Sequence, residues 1–488
     1  MEPTDLLDRI GRWCRVAPSR LAHISGDRRL TYAELWLRSD ALAEHLVRLT
    51  ADDRSPVAVM GQKEPELLIA FLGAAKAGRP YVPIDTVQPA HRVQRIIELS
   101  GARLMLTADD VPAVPDASGR PPARQLDSHD PFYIMFTSGS TGEPKGVVIT
   151  RSNLMSFLEW MLAEQAPDEG EVFLNQVPYS FDVSVMDTYL ALITGGTVVS
   201  ISRADVANPK RLYHLLGRSG ITTWVSTPSF AQVCLAEPSF DRAMLPRVRR
   251  FLFCGETLPS AVAEQLLTRF PEAAVWNTYG PTEATVATTS IRIDRPLLDQ
   301  YSPLPIGYPM PGTDVVIVDE AGEAVAEGVR GEILIAGPNV SPGYLNRPDL
   351  TARAFLIRHG RWAYRTGDWG RRHDGLLFCE GRMDDQVKLH GYRIELGDVE
   401  ANLRALPDVQ DAVVVPTARG GQPDGLCAFI ILRMPQTGSD FAVSNALRMA
   451  LVERLPAYML PRQMRFLQAF PMTVNGKADR HKLRELLA

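Results

Sequence analysis

Several common ways of bracing or targeting a chain are missing from this sequence. Only five cysteines occur among 488 residues, and Cys14, Cys234, Cys254, Cys379 and Cys427 form no C-x-x-C pair. Such scatter argues against a disulfide framework or a structural zinc site and fits a reduced cytoplasmic setting. No apolar run approaches the roughly 20 residues needed to span a bilayer, so membrane insertion is not expected. The opening Met-Glu-Pro-Thr-Asp lacks the basic start and apolar run of a signal peptide. A basic excess is also missing: the net charge is −5, the wrong sign for a nucleic-acid footprint. There is no internal repeat and no standard P-loop.

What is present is ordinary for a globular protein, with 45% apolar and 22% charged residues. A chain of 488 residues exceeds one hydrophobic core, which predicts two or more domains. Residues 1–50 read as helical, with a short strand before Leu30-Thr31-Tyr32-Ala33-Glu34-Leu35, where Thr31 and Glu34 have capping-box spacing. Strands at 56–60 and 81–84 flank a helix at 64–77, and another helix spans 91–99. This alternation predicts layered α/β structure with parallel pairing. Residues 109–130, rich in Pro, Ala and Asp, read as a surface linker. A helix at 152–164 and strands at 172–175, 222–226, 250–254 and 274–277 continue the pattern. From about 303 to 382, short alternating runs separated by Gly, Pro and Asp predict a small β-rich subdomain. Residues 383–488 read as one small α+β domain, with helices at 398–406 and 445–455 and strands at 409–415 and 426–432.

One stretch stands out. The apolar run Tyr133-Ile134-Met135-Phe136 opens into Thr137-Ser138-Gly139-Ser140-Thr141-Gly142-Glu143-Pro144-Lys145-Gly146 and returns to Val147-Val148-Ile149. Glycines let backbone amides approach an anion, hydroxyls add donors, and a lysine supplies charge. The order departs from the P-loop, because Pro144 and Gly146 stand where that pattern needs other residues. A phosphate cradle is the expectation, with a plain surface turn as the alternative.

Four further positions carry chemistry. Asp182 lies in the apolar, aromatic run 178–187, where a buried carboxylate is costly unless paired. It is read either as a helix N-cap or as the counter-charge of a ligand ammonium. The strand at 274–277 ends in Thr278-Tyr279-Gly280-Pro281-Thr282-Glu283, and ligands collect at the carboxyl ends of strands in open α/β sheets. Glu283 beside Thr282 could hold magnesium, and Tyr279 could stack on a base or simply fill the core. Asp368, in Tyr364-Arg365-Thr366-Gly367-Asp368, could bond ribose hydroxyls or end a turn.

The cradle, the 278–285 loop, the 364–368 turn, the 381–395 segment and the terminal Asn475-Gly476-Lys477 occur in the order found in adenylate-forming enzymes. The chain resembles that superfamily over nearly its whole length. Within it, the chain looks most similar to stand-alone D-alanine–carrier-protein ligases. Phe181-Asp182-Val183-Ser184-Val185-Met186-Asp187, Val225-Ser226-Thr227-Pro228-Ser229-Phe230, Phe251-Leu252-Phe253-Cys254-Gly255-Glu256 and Gln386-Val387-Lys388-Leu389-His390-Gly391-Tyr392-Arg393 carry that closer likeness.

The resemblance implies a large N-terminal core, 1–382, and a small mobile lid, 383–488, hinged at Asp384. It implies ATP and Mg2+ as cofactors, a small amino acid as substrate, and a phosphopantetheinylated carrier protein as partner of a monomeric, cytoplasmic ligase. The amino acid is adenylated and then passed to the carrier thiol. Carried over residue by residue, Thr137, Lys145 and Lys477 are catalytic, and Glu283 binds metal. ATP falls to Thr137, Ser138, Gly139, Ser140, Thr141, Gly142 and Lys145, then Gly255, Glu256, Thr257, Asn277, Thr278, Tyr279, Gly280 and Thr282, and finally Asp368, Arg382 and Lys477. The substrate pocket maps to Asp182, Val183, Met186, Val225, Leu252, Cys254, Thr278, Val286 and Ala287. Bulky Met186 and Leu252 imply a small pocket, with alanine as first choice. Glycine, serine and 2-aminobutyrate stay open, since one methylene is worth only about 1–3 kcal/mol, and so does chirality, since Val183 stands where the D-alanine ligases would carry Leu. An acyl-CoA synthetase is the rival class, against which Asp182 argues.

Overall fold

The structure, a computed structural model, describes residues 5–50, 53–111, 127–139, 142–389, 392–419, 422–434, 439–472 and 478–487. Ser140, Thr141, His390, Gly391, most of the expected 109–130 linker, and Asn475, Gly476 and Lys477 lie outside the described residues. The chain divides into two compact units. The first comprises Met1–Asp85, Ser100–Met135 and Gly146–Gly381; the second comprises Thr86–Leu99, Phe136–Lys145 and Arg382–Ala488.

The first unit holds the expected layered α/β architecture. Among the described residues its largest sheet has nine strands. Leu21–Ser25, Thr197–Ser200, Val172–Asn175, Thr223–Ser226, Arg250–Phe253 and Ala274–Tyr279 run parallel to their neighbours, and antiparallel strands close both edges. A six-stranded sheet is built around Val57–Gly61, Tyr81–Asp85 and Pro131–Thr137. The helix Pro65–Lys76 starts on a proline, whose missing N–H costs nothing at that position, and all of its residues are buried. Such a helix reads as nearly continuous apolar sequence because it has no wet face.

Strand alternation sorts the large sheet into two cores. Leu174, Trp224, Phe251 and Val275 pack in one cluster, while Phe173, Val198, Val225 and Leu252 join the other, which also takes Val59, Phe132 and Met135 from the six-stranded sheet. The β-rich part is a five-stranded sheet that includes Asp314–Val318, Gly331–Ala336 and Arg361–His373. In the second unit, the long hairpin Val409–Arg419/Gln422–Leu432 and the helices Leu396–Arg404 and Asp440–Val452 share a separate core.

Three expectations need correction. Residues 1–50 hold a helix at Leu6–Val16, then a hairpin, Leu21–Ser25 with Arg28–Thr31, and only then the helix Tyr32–Thr50. Gly26, at φ +57°, makes the two-residue turn possible. The capping box is there: Thr31 N–H donates to Glu34, and Glu34 N–H donates back to Thr31 Oγ1. The helix expected at 445–455 runs from Asp440 to Val452, because Ser439 Oγ accepts from Ala442 N–H and starts it early. The 364–368 segment is no terminal turn. It is an irregularity within the strand Arg361–His373, where the register slips opposite Glu332–Leu334 and Gly367 takes φ +67°. No helix among the described residues is long and apolar enough to cross a membrane.

Candidate active site

In the first unit, the candidate residues gather at the carboxyl ends of the parallel strands. Tyr279 closes the strand Ala274–Tyr279, and its hydroxyl donates to Asp368 Oδ2 at 2.5 Å. Both are almost fully buried, and burial first, then the Asp368 charge, pushes the phenol well above its ordinary pKa. Tyr279 is therefore a fixed wall that orients the carboxylate. The bulge aims Asp368: its N–H donates to Thr366 Oγ1 at 3.0 Å, and Glu332 accepts from Gly367 N–H at 3.1 Å while pairing with Arg365.

Glu283 lies on the short turn Thr282–Ala284 with no exposed surface. Tyr344 donates to its Oε1 at 2.7 Å, and the Glu283 carbonyl accepts from Ser341 N–H at 2.9 Å. The loop then doubles back tightly. A Cβ on Gly280 would sit 2.5 Å from Ala287 Cα, so only glycine fits there. Thr285 and Val286 take φ +54° and +68°, a conformation β-branched residues avoid. Asn339 holds this strained pair: its carbonyl accepts from Thr285 Oγ1, and its amide donates to Ala284 O and Thr288 Oγ1. Pre-set strain of this kind costs about 1–3 kcal/mol and persists only where the surroundings enforce it.

The pocket positions Val183, Met186, Val225, Leu252, Cys254, Val286 and Ala287 are all buried in one core cluster. Val225 and Leu252 are register partners, so they point from the same sheet face. Cys254 Sγ donates to Val286 O at 3.4 Å. Thr278 is buried and donates to Phe253 O. Asp182 occupies the N-cap position of the helix Val183–Ile193, yet its side chain makes no capping hydrogen bond. It is half-buried, where the sequence suggested deep burial. Its charge still reaches Tyr133, whose fully buried hydroxyl has no hydrogen-bond partner and whose pKa is raised by burial and then by Asp182.

Other expected ATP residues are engaged differently. Asn277 is on the opposite sheet face from Leu252, and its amide donates to Pro305 O at 2.8 Å. Glu256 accepts from Ser229 N–H at the start of the helix Pro228–Leu235, so it serves as a cap. Gly255 has φ +92°, and Thr257 is exposed.

The cradle belongs to the second unit. Gly139 cannot carry a side chain, since its Cβ would lie 2.1 Å from Glu143 O; Gly142 has φ +87° and donates to Gly139 O. Ser138 Oγ donates to Arg393 O at 3.0 Å and accepts from Glu395 N–H at 3.2 Å, which ties the cradle to the hairpin Gln386–Leu389/Tyr392–Glu395. Thr137 Oγ1 is shut from water without a partner. Burial raises the Glu395 pKa, and the charges of Arg393 and Lys145 oppose it. Arg382 Nε donates to Asp384 Oδ1 at 2.9 Å; burial would raise the Asp384 pKa, but Arg382 wins and holds it below the usual range.

The sequence reading missed a buried polar network behind the pocket. Lys63 donates to Asn175 Oδ1 and Val177 O, both at 2.6 Å. Ser200 Oγ also donates to Asn175 Oδ1, at 2.7 Å, so its contact with His23 Nε2 at 2.8 Å must be one it accepts. Asn175 Nδ2 in turn donates to Asp187 Oδ1 at 2.7 Å. Burial lowers the Lys63 pKa and raises that of Asp187, each opposed by the other's charge, while His23 is pushed down to about 3. The available signal was a second acid, Asp187, in the same apolar run as Asp182.

Comparison with known proteins bears on the whole chain. Residues 10–345 match the model of the AMP-binding enzyme family, and 398–477 match the AMP-binding enzyme C-terminal domain. A Bacillus cereus (strain B4264) protein named D-alanine--D-alanyl carrier protein ligase is 46% identical over 497 residues, covering 98% of each chain. Among solved structures, a nonribosomal-peptide-synthetase protein containing adenylation and PCP domains, bound to a vinylsulfonamide inhibitor, matches with a TM-score of 0.81. It is 28% identical over 98% of this chain and 84% of its own. The Vibrio cholerae adenylation domain AlmE, in complex with glycyl-adenosine-5'-phosphate, shares the fold at a TM-score of 0.86 and 23% identity, covering 100% of this chain and 98% of its own. A layered α/β core followed by a small α+β domain, taken with these matches, makes the chain an adenylate-forming ligase. The chain belongs to the AMP-binding enzyme family, whose ligases use ATP.

Proposed function

We propose that the chain adenylates D-alanine and transfers the D-alanyl group to the phosphopantetheine thiol of a carrier protein. The observation that carries the amino-acid reading is Asp182, a carboxylate at a helix start that makes no capping hydrogen bond and directly precedes Val183, one of the buried apolar side chains to which the resemblance maps the substrate pocket. An α-ammonium group suits it; a plain carboxylic acid would not. The printed name of the Bacillus cereus relative supports D-alanine and the carrier.

In this reading the substrate carboxylate attacks the α-phosphorus of ATP, forming an aminoacyl adenylate and releasing pyrophosphate. Lys145 and the cradle amides and hydroxyls take up phosphate charge, which is most of what phosphoryl transfer asks of a protein. Asp368, oriented by Tyr279, receives the ribose hydroxyls. Among the described residues no cluster of three or more His, Cys, Asp or Glu forms a metal cage. Magnesium seldom needs one, taking one or two carboxylates alongside substrate phosphates, so Glu283 fits the role. Bound there, the ion would neutralise phosphate charge. Residues 1–382 are the adenylation core, with the β-rich part at about 303–382. Residues 383–488 are a lid that turns about Asp384 and brings Lys477 to the carboxylate for the first half-reaction only.

Amino-acid-dependent exchange of pyrophosphate into ATP tests this, run with both alanine enantiomers, glycine, serine, 2-aminobutyrate and phenylalanine. D-Alanine is expected to be best. Exchange as fast with phenylalanine would refute the small pocket, and faster exchange with L-alanine would refute the chirality. Mass spectrometry of acceptors then separates the classes: acyl transfer to a holo-carrier protein supports the proposal, and transfer to free CoA alone overturns it.

A further inference from the structure

The pocket has two walls. One is the helix Val183–Ile193, which carries Val183 and Met186 with Asp182 at its start. The other is a row across the large sheet in which Ser200, Asn175, Val225, Leu252 and Trp276 are successive register partners. Register partners on parallel strands share a face, so Asn175 points from the same face as Val225 and Leu252. Asp187 is on the helix next to Met186 and accepts from that Asn175 amide. The hydrogen bond thus joins the two walls, one residue away from a pocket side chain on each.

Lys63, from outside both walls, supplies the compensating charge: its ammonium reaches Asn175 Oδ1 and Val177 O and lies 4.3 Å from the Tyr179 ring centroid. Asn175, Asp187 and His23 have no exposed surface, and Lys63 is 5% exposed. A buried charge network of this kind is weak evidence for stability, since apolar side chains of the same volume generally do as well. Its directional bonds do what apolar packing does poorly, which is to fix one spacing and one register.

We propose that the Asn175–Asp187 hydrogen bond, counter-charged by Lys63, is a positioning device that sets the gap between the Val183–Ile193 helix and the Val225–Leu252 row, and with it the size of amino acid accepted. The inference rests on the reading of Asp182 and this pocket as the amino-acid site. The three residues touch no substrate; they act through Asp182, Met186, Val225 and Leu252. Loosening the gap should admit one more methylene, a discrimination that ordinarily lies at about 10-fold or more.

Pyrophosphate exchange with D-alanine and 2-aminobutyrate, together with melting temperatures, tests this on the full chain. Asp187→Ala is expected to raise the KM for D-alanine about ten-fold, leave the KM for ATP within about two-fold, and lower the D-alanine over 2-aminobutyrate preference about five-fold. Asp187→Asn keeps an acceptor for Asn175 and is expected to restore both readouts to within about three-fold of the parent. Leu216→Ala, a cavity in the other core cluster, lowers the melting temperature and should leave the preference unmoved. If Asp187→Ala does not fold, Asn175→Ser is read by the same criteria. A variant that melts earlier with KM and preference unchanged would make the network structural only and overturn the proposal. Should Asp182→Ala also leave the D-alanine KM unchanged, the site reading itself fails; an Asp182 effect without an Asp187 effect overturns only the positioning role.

Discussion

Asp182 and Asp187 are five positions apart in one helical stretch, and their surroundings separate their chemistry. Asp187 is sealed and bonded to Asn175. Asp182 is half-buried at the helix start, where its side chain makes no capping hydrogen bond. Asp182→Ala is therefore expected to raise the amino-acid KM about a hundred-fold, the value of a charged hydrogen bond of about 3 kcal/mol, with the ATP KM little changed. Steady-state exchange kinetics check it. His23 gives a second prediction. Its folded pKa is lowered to about 3, so the unfolded state binds the extra proton between about 6.5 and 3. Stability contributed by the neutral ring is thus complete above about 6.5 and is lost as pH falls. Going from about pH 6 to 5 should destabilise the parent by about 1.2 kcal/mol more than it destabilises His23→Gln, measured by denaturant unfolding. At this scale the sequence marked an acid in an apolar run but could not tell which acid was sealed. That depends on Asn175, which comes from another strand.

Turns and loops carry the constraints at the next scale. Gly280 is forced by the doubling back of the 279–288 loop, where a Cβ would lie 2.5 Å from the backbone of Ala287. Gly280→Ala should destabilise the protein by about 2–3 kcal/mol or more through overpacking, and a chemical melt would detect it. The same variant is expected to disturb both the Tyr279–Asp368 pair and the strained Thr285–Val286 corner. The parallel strands and the all-buried helix were legible because apolar runs between turn residues have few other readings. The bulge that aims Asp368 was not: Gly367 looks like a turn residue, and only the pairing with Gly331–Ala336 makes it an irregularity inside a long strand. Of the hairpin near Gly26 only a short strand before Leu30 was legible, since Leu21–Ser25 gains its other partner from Thr197–Ser200, far along the chain.

For the molecule as a whole, the ordered motifs announced an α/β core followed by a small α+β domain. They could not announce that Thr86–Leu99 and Phe136–Lys145 cluster with the C-terminal residues. That association rests on contacts such as Arg92 with Asp398 and Ser138 with Arg393, made between segments far apart in sequence. The proposed two-step reaction predicts a division of labour between the domains. Lys477→Ala should abolish amino-acid-dependent exchange, about 10³-fold or more, yet spare transfer from a supplied aminoacyl adenylate to the carrier thiol. Survival of exchange would remove Lys477 from the chemistry.

Every apolar residue assigned to the pocket is also a member of the main core. Enlarging the pocket by truncating Met186 or Leu252 is therefore also a core truncation, worth about 2–5 kcal/mol against a total stability of about 5–15. Substrate preference in such a protein is inherited together with its folding margin. A lineage that drifts toward a larger amino acid must first accumulate stabilising changes elsewhere, so the route to a new substrate begins at sites that never touch it.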